Sequence, residues 1–277
     1  MARTESISGR VVAITGGARG IGLAIAQSVA QRGARVAVGD IDGAAAERAA
    51  EALGERAVGM QLDVTDRESF ERFLDATSES LGPLEVLVNN AGVMIVGPFA
   101  GADPAAAARV MDVNVDGVIQ GTRLAIPRLR DRGGGQIVNV ISGAAWVAPP
   151  ALATYAASKH AVKGFSDAVR EELHGERIEL TAVYPNLVRT ELAVGTKPAR
   201  GGRWIEPDEV GEAVAAAIER PRAEVFIPRW IAGVLRFQAA LPPRARDAIG
   251  RAFGVDKLYT GVDPDTRADY ERALSGG

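Results

Sequence analysis

The sequence predicts a single α/β domain, a seven-stranded parallel sheet doubly wound with helices on both faces, followed by a helical C-terminal extension. Three observations predict it. Short β-branched runs alternate with long alanine-rich segments from residue 11 to residue 227, which is the alternation of consecutive β-α-β units. Several of the short runs are apolar without a break, as strands covered on both faces should be. A glycine-rich turn follows the first run and leads directly into a helical pattern.

Strands are expected over 11–15, 35–39, 57–62, 86–89, 136–141, 180–184 and 224–227. Helical patterns fill 21–32, 44–53, 67–81, 104–130, 153–174 and 207–220, and Gly33, Gly54, Gly82 and Gly175 close several of them. No repeat or linker interrupts this order, so 1–228 reads as one domain and 229–277 as an appendix. Within the appendix, 229–241 is apolar, Pro242-Pro243 interrupts, 244–253 is basic and amphipathic, and a short helix is expected over 265–274.

Composition removes several kinds of chemistry. The 277 residues include no cysteine, which excludes disulfides, iron–sulfur clusters and thiol catalysis. Only His160 and His174 supply imidazole, too few ligands for a zinc-dependent alcohol dehydrogenase, so no metal is expected. The net charge is −3 and no basic stripe is interleaved with aromatics, which argues against nucleic acid as a partner. Met1 to Arg10 is polar, and no run approaches the roughly 20 apolar residues of a spanning helix. A soluble cytoplasmic protein is expected.

The run Gly16-Gly17-Ala18-Arg19-Gly20-Ile21-Gly22 has the chemistry of a phosphate cradle. Glycines permit the turn and the close approach of backbone to a pyrophosphate, while the helix N-terminus presents unpaired N–H groups and a positive dipole end. The spacing differs from the common G-x-G-x-x-G fingerprint, so its context carries the reading. Asp40 ends the second strand, twenty residues after Gly20. A carboxylate there accepts hydrogen bonds from the adenosine ribose and repels a 2′-phosphate, favouring NAD. Arg19 pulls toward NADP, because a guanidinium beside the cradle can pair with that phosphate. Asp40 lies where the 2′ group would be, and NAD is preferred. Asp42 is better placed than Asp40 to cap the next helix.

Tyr155-Ala-Ala-Ser-Lys159 puts a phenol and an ammonium on one helix face. Tyrosine ordinarily titrates near about 10, and a neighbouring cation favours the phenolate, bringing the group within range as a general base. Such a pair is more often a surface feature. Here Ser142 follows the fifth strand and Asn89-Asn90-Ala91-Gly92 follows the fourth, at the carboxyl edge where open α/β sheets hold ligands. Asn114 sits in the apolar stretch Val110-Met-Asp-Val-Asn-Val, a costly place for an amide without a partner.

Taken together, these residues resemble the short-chain dehydrogenase/reductase family from about residue 6 to residue 228. The matching positions are Thr15 to Gly22, Asp63-Val64, Asn89 to Gly92, Asn114, Ser142, Tyr155 to Lys159, and Pro185 with Thr190. The resemblance implies a Rossmann domain and a catalytic tetrad of Asn114, Ser142, Tyr155 and Lys159, with Asn114 anchoring a water. It implies that the cofactor is held by Gly16, Arg19, Gly20, Ile21, Gly22, Asp40, Ala91, Gly92 and Pro185, together with Tyr155 and Lys159. Asp63 and Val64 would meet adenine, Asn90 a ribose region, and Val188 and Thr190 the nicotinamide amide. Lys159 would bond the nicotinamide ribose and favour the Tyr155 phenolate. Two departures stand out. Asn186 follows Pro185 where the family has glycine, a residue tolerant of positive φ, and Phe226-Ile-Pro-Arg-Trp230 replaces the usual glycine-rich ending.

Substrate contacts are expected from Met94, Ser142, Ala144, Trp146, Leu152, Asn186 and Leu192, with Val93, Ile95, Gly143, Val147 and Leu187 alongside. Most are apolar, pointing to a small hydrophobic alcohol or ketone. Residues 191–203, with Gly195, Gly201 and Gly202, have the composition of a lid. A homodimer or homotetramer is expected. Packing of the appendix on its own domain or a partner subunit is preferred over contact of 230–253 with an anionic membrane surface.

Overall fold

The structure, a computed structural model, describes residues 6–196, 198, 203–260, 262 and 267. Seven strands form one parallel sheet: β1 (Val11–Thr15), β2 (Arg35–Asp40), β3 (Ala57–Gln61), β4 (Val86–Asn89), β5 (Gly135–Val140), β6 (Ile178–Pro185) and β7 (Glu224–Ile227). Their spatial order is β3-β2-β1-β4-β5-β6-β7. The chain therefore winds outward from β1 to β3, then crosses back to place β4 beside β1. That reversal opens a crevice at the carboxyl ends of β1 and β4, the place where doubly wound sheets hold ligands.

The uninterrupted apolar strands are explained by two cores. Val12 and Ile14 of β1 face a cluster with Ile25 and Val29 of α1 (Gly20–Gln31), Ala46 of α2 (Gly43–Leu53), and Val210 and Val214 of α7 (Pro207–Glu219). Val11 and Ala13 face the opposite cluster. There they meet Phe70 and Phe73 of α3 (Arg67–Leu81), Leu124 and Leu129 of α5 (Gly117–Arg132), and Val169 of α6 (Ala153–Glu172). Successive strand side chains point to opposite faces, so both phases of the period must be apolar.

The helix expected over 104–130 is three pieces in one rod. α4 (Pro104–Met111) passes through a single π turn, Asp112–Asp116, into α5, which carries Pro127 internally. Asp42 caps α2 by accepting from the Ala45 N–H, as its position suggested. Beyond β7 the chain forms α8 (Ile231–Ala240) and α9 (Pro243–Ala252). Ile231 and Leu235 of α8 join Tyr184 and Phe226 in a third apolar cluster, so the extension packs on the β6–β7 end of the sheet. α9 has no buried residue. The helix expected over 265–274 lies outside the described residues except for Arg267, and the 191–203 segment is described only in part, beginning with a 3-10 turn at Glu191–Ala193. Among the described residues no helix is long and apolar enough to cross a membrane.

Candidate active site

The crevice is built from turns that interlock. Gly16 has φ of 62°, and a Cβ there would stand 2.8 Å from the Ala91 Cα. A Cβ on Gly22 would stand 2.0 Å from the Gly16 carbonyl oxygen. Only glycine admits the turn, because the start of α1 and the loop after β4 both press against it. Thr15 Oγ1 accepts from the N–H groups of Asn90 and Ala91, each at 3.0 Å. The Asn90 side chain donates to the Thr15 and Gly16 carbonyls, also at 3.0 Å. Its amide donors thus brace the glycine turn.

Asp40 stands at the carboxyl end of β2, 5% exposed. One carboxylate oxygen accepts from the Ala18 N–H and the other from the Asp42 N–H, both at 3.2 Å. The Arg19 guanidinium lies 3.9 Å from Asp40, 3.7 Å from Asp42 and 3.8 Å from Glu191. A single cation thus faces three carboxylates. Asp63 accepts from Thr65 and pairs with Arg109 at 3.7 Å, while the Val64 carbonyl accepts from Gln120.

Asn114 is fully buried inside the π turn. Its Oδ1 accepts from the Val93 N–H at 2.8 Å, and its Nδ2 donates to the Val93 carbonyl and to Ser158 Oγ. Ser158 Oγ in turn donates to the Tyr155 carbonyl at 2.7 Å. The costly amide is therefore satisfied, and it ties the loop after β4 to the helix that carries Tyr155 and Lys159. A second buried chain, from Asn89 to Asn139 to Ser166, links β4, β5 and the same helix. The sequence reading gave neither Ser158 nor this chain a role. A polar residue at a buried position, on a helix face for Ser158 and Ser166 and within an apolar strand for Asn89 and Asn139, is the signal that marks them.

Lys159 lies against Tyr155, its Nζ 5.5 Å from the ring centroid. A Cβ on Gly92 would stand 3.5 Å from that Nζ. The ammonium is almost wholly withdrawn from water, and burial pulls its pKa down to about 8. A lysine whose folded pKa is depressed costs stability while it stays protonated. That cost is complete below about 8 and fades as pH rises toward the unfolded value of about 10.4. Lys159→Met is accordingly expected to stabilise the ligand-free protein at pH 7 by about 3 kcal/mol. The gain should fall below about 1 kcal/mol by pH 10, as read from paired urea melts; an equal difference at both pH values would contradict the assignment.

Ser142 Oγ accepts from the Ala144 N–H at 3.1 Å. Ser142 and Tyr155 open into one cavity of about 640 Å³, which is also lined by Ile21, Pro185, Val188 and Thr190. Of the expected substrate residues, Met94, Ala144, Asn186 and Leu192 line it as well. Trp146 does not. Its ring packs edge-on against Tyr184 and tilted against Phe226, with Lys163 Nζ over its face at 4.6 Å, because the 3-10 turn Gly143–Ala145 directs it into the third apolar cluster. Leu152 is likewise core, 1% exposed and packed with Met94 and Tyr155. Asn186 keeps a negative φ, since Ala151 is the single described non-glycine residue with positive φ. Its N–H donates to the Ile227 carbonyl, so the turn forms without the conformation that glycine supplies.

Much of the cavity wall was not anticipated. Trp230, Val234, Leu235, Phe237 and Gln238 of the α8 region line it, as do Phe253, Leu258 and Tyr259 beyond. Arg267 is buried beside the site and donates to the carbonyls of Met94, Leu192 and Val194. Burial pushes the Tyr259 hydroxyl up to about 12.

The profile of the short chain dehydrogenase family matches residues 10–201. The chain belongs to that family. This short-chain dehydrogenase is 34% identical over 263 residues to 2-(S)-hydroxypropyl-CoM dehydrogenase 3 of Xanthobacter autotrophicus, a match spanning 94% of this chain and 100% of the other. It is 30% identical over 262 residues to the NADP-dependent (R)-specific alcohol dehydrogenase of Lentilactobacillus kefiri, spanning 93% and 99%. A crystal structure of a short-chain dehydrogenase/reductase from Burkholderia phymatum in complex with NAD superposes with a TM-score of 0.77 at 27% identity, covering 84% of this chain and 94% of that one. Of one longer relative the chain spans only 18%. Members of the family are oxidoreductases acting on CH–OH groups with a nicotinamide dinucleotide.

Proposed function

We propose that this short-chain dehydrogenase interconverts a hydrophobic alcohol and its ketone using NAD, with Tyr155 as the proton-transfer residue. One observation carries the reading. Tyr155 and Ser142 share a cavity into which, among the described residues, no Lys, Arg, Asp, Glu or His projects, while a buried ammonium stands against the phenol ring.

The residues present fit a dinucleotide. The glycine turn leaves space that any Cβ would fill, and Asp40 keeps unused lone pairs toward a ribose. Among the described residues Lys159 Nζ has no hydrogen-bond or ion-pair partner, as a donor awaiting ribose hydroxyls should. Gly16, Gly20 and Gly22 would lie along the pyrophosphate, Asp63 and Val64 by adenine, and Ile21, Pro185, Val188 and Thr190 at the nicotinamide. When bound, the nicotinamide supplies the hydride acceptor for oxidation and the hydride donor for reduction.

In oxidation the alcohol O–H proton passes to the Tyr155 oxygen, and in reduction the Tyr155 O–H protonates the developing alkoxide. The Ser142 hydroxyl holds the same substrate oxygen, its orientation set by the Ala144 N–H that it accepts. Lys159 favours the phenolate by its charge. Asn114 keeps the helix bearing both groups in register with the loop after β4.

A panel of secondary alcohols and ketones, followed by absorbance of the reduced nicotinamide, tests the reading. Catalytic efficiency should rise with apolar chain length, and hydroxy acids of matched length should be at least about a hundredfold poorer, because a carboxylate would be buried there unpaired. Preference for hydroxy acids or sugars would overturn the substrate class.

A further inference from the structure

α8 is buried through Ile231, Leu235 and Gln238. These fall at i, i+4 and i+7, a single stripe of the helix. Ile231 and Leu235 enter the apolar cluster with Tyr184 and Phe226, so the period asks for a third apolar residue at 238. The chain places glutamine there instead.

Gln238 is 8% exposed and lines the cavity that holds Ser142 and Tyr155. Its backbone carbonyl accepts from the Leu241 N–H, but among the described residues its side-chain amide has no hydrogen-bond partner. The amide atoms are not sealed from solvent, so the amide opens into the cavity, where a ligand group can take the place of water. Its neighbours along the wall, Trp230, Val234 and Phe237, are predominantly apolar. The amide is therefore a site waiting for a ligand group, set in an otherwise lipophilic wall.

The size of the cavity points the same way. At about 640 Å³ it falls in the range that encloses ligands of drug size. The extension adds the room, and Gln238 lies on the extension.

We propose that Gln238 is a specificity-determining residue that hydrogen-bonds a second polar group of the substrate, a carbonyl or hydroxyl remote from the reacting carbon of a large lipophilic alcohol or ketone. An amide offers both donor and acceptor and suits either group. A carboxylate is disfavoured, because no cation lines the cavity among the described residues. Tyr259 brings a hydroxyl to the same wall. The inference rests on the reading of this cavity as the substrate site of an alcohol dehydrogenase.

Steady-state kinetics on two probes test it: a long-chain methyl ketone, and the keto alcohol of the same chain length with a hydroxyl at the far end. The parent enzyme should favour the keto alcohol by at least about tenfold in kcat/KM, since a site built to bond a polar group rejects the analogue that lacks it. In Gln238→Leu the preference should reverse, with KM rising for the keto alcohol and falling for the methyl ketone, while kcat changes little. Leucine completes the apolar stripe, and Gln238→Met repeats the measurement with a more adaptable side chain. Equal efficiency on the two probes in the parent, or an unchanged ratio in both variants, would overturn the proposal and leave the dehydrogenase reading intact. Turnover of neither probe would instead bring down that reading and this inference with it.

Discussion

Tyr155→Phe is expected to lower kcat by about 10²–10⁴-fold, with dinucleotide affinity nearly unchanged. The size follows from what the substitution removes and what it leaves. The Tyr155 ring is buried with Met94 and Leu152, and phenylalanine fills the same volume. Lys159 Nζ stands 5.5 Å from the ring centroid, so it keeps an aromatic face to lie against and stays available to the ribose. On the proposed reading Ser142 still donates to the substrate oxygen. Only the exchangeable proton is lost, and no other titratable side chain among the described residues lines the cavity except Tyr259. Stopped-flow turnover paired with equilibrium titration of the dinucleotide separates the two effects. Turnover within tenfold of the parent would show that the proton travels by another route, with Tyr259 the first group to replace.

The choice of cofactor should show the second large effect, a preference for NAD over NADP of at least about a hundredfold in kcat/KM, or roughly 2.7 kcal/mol between transition states. Named relatives point both ways, since the L. kefiri enzyme is NADP-dependent and the B. phymatum structure holds NAD. The local charges decide for this chain. Arg19 faces Asp40, Asp42 and Glu191 at 3.7–3.9 Å, so its charge is already more than balanced. A 2′-phosphate arriving there would meet a region that is net negative, beside a carboxylate screened from water. A ribose hydroxyl would instead donate to that carboxylate, in a charge-assisted bond worth about 1.5–3 kcal/mol. Asp40→Ser should shrink the gap by weakening NAD and easing the repulsion, with Arg19 released from one partner. Kinetics with both dinucleotides measure it. A parent enzyme that already prefers NADP would mean that Arg19, and not Asp40, governs selection.

The periodicities in the chain determined the fold. Apolar runs with no alternation, at β1 and over residues 86–88 of β4, read as strands covered on both faces, and the glycines from Gly16 to Gly22 as a tight turn against a helix. The i, i+4 spacing of Tyr155 and Lys159 put them on one helix face, but it took Ser142, Asn114 and the resemblance to the family to mark that face as a site rather than a surface pair. Local spacing carries such information because both partners belong to one rigid element.

Tertiary structure decided what depends on two elements meeting. Trp146 stands beside Ser142 in sequence, yet the 3-10 turn after Ser142 directs its ring into the core with Tyr184 and Phe226. Asn90 turns its amide to the glycine loop because that loop's carbonyls lie within reach. Asn114 finds its partners only because a π turn sets it against Val93 and Ser158. The extension gave the weakest signal and the largest surprise. Its apolar residues could have met a partner subunit, a membrane or its own domain, and hydrophobic burial has no direction that would distinguish them in sequence. Packing against β6 and β7 turned α8 over the cavity, and that contact alone placed Gln238 in the same chamber as Tyr155.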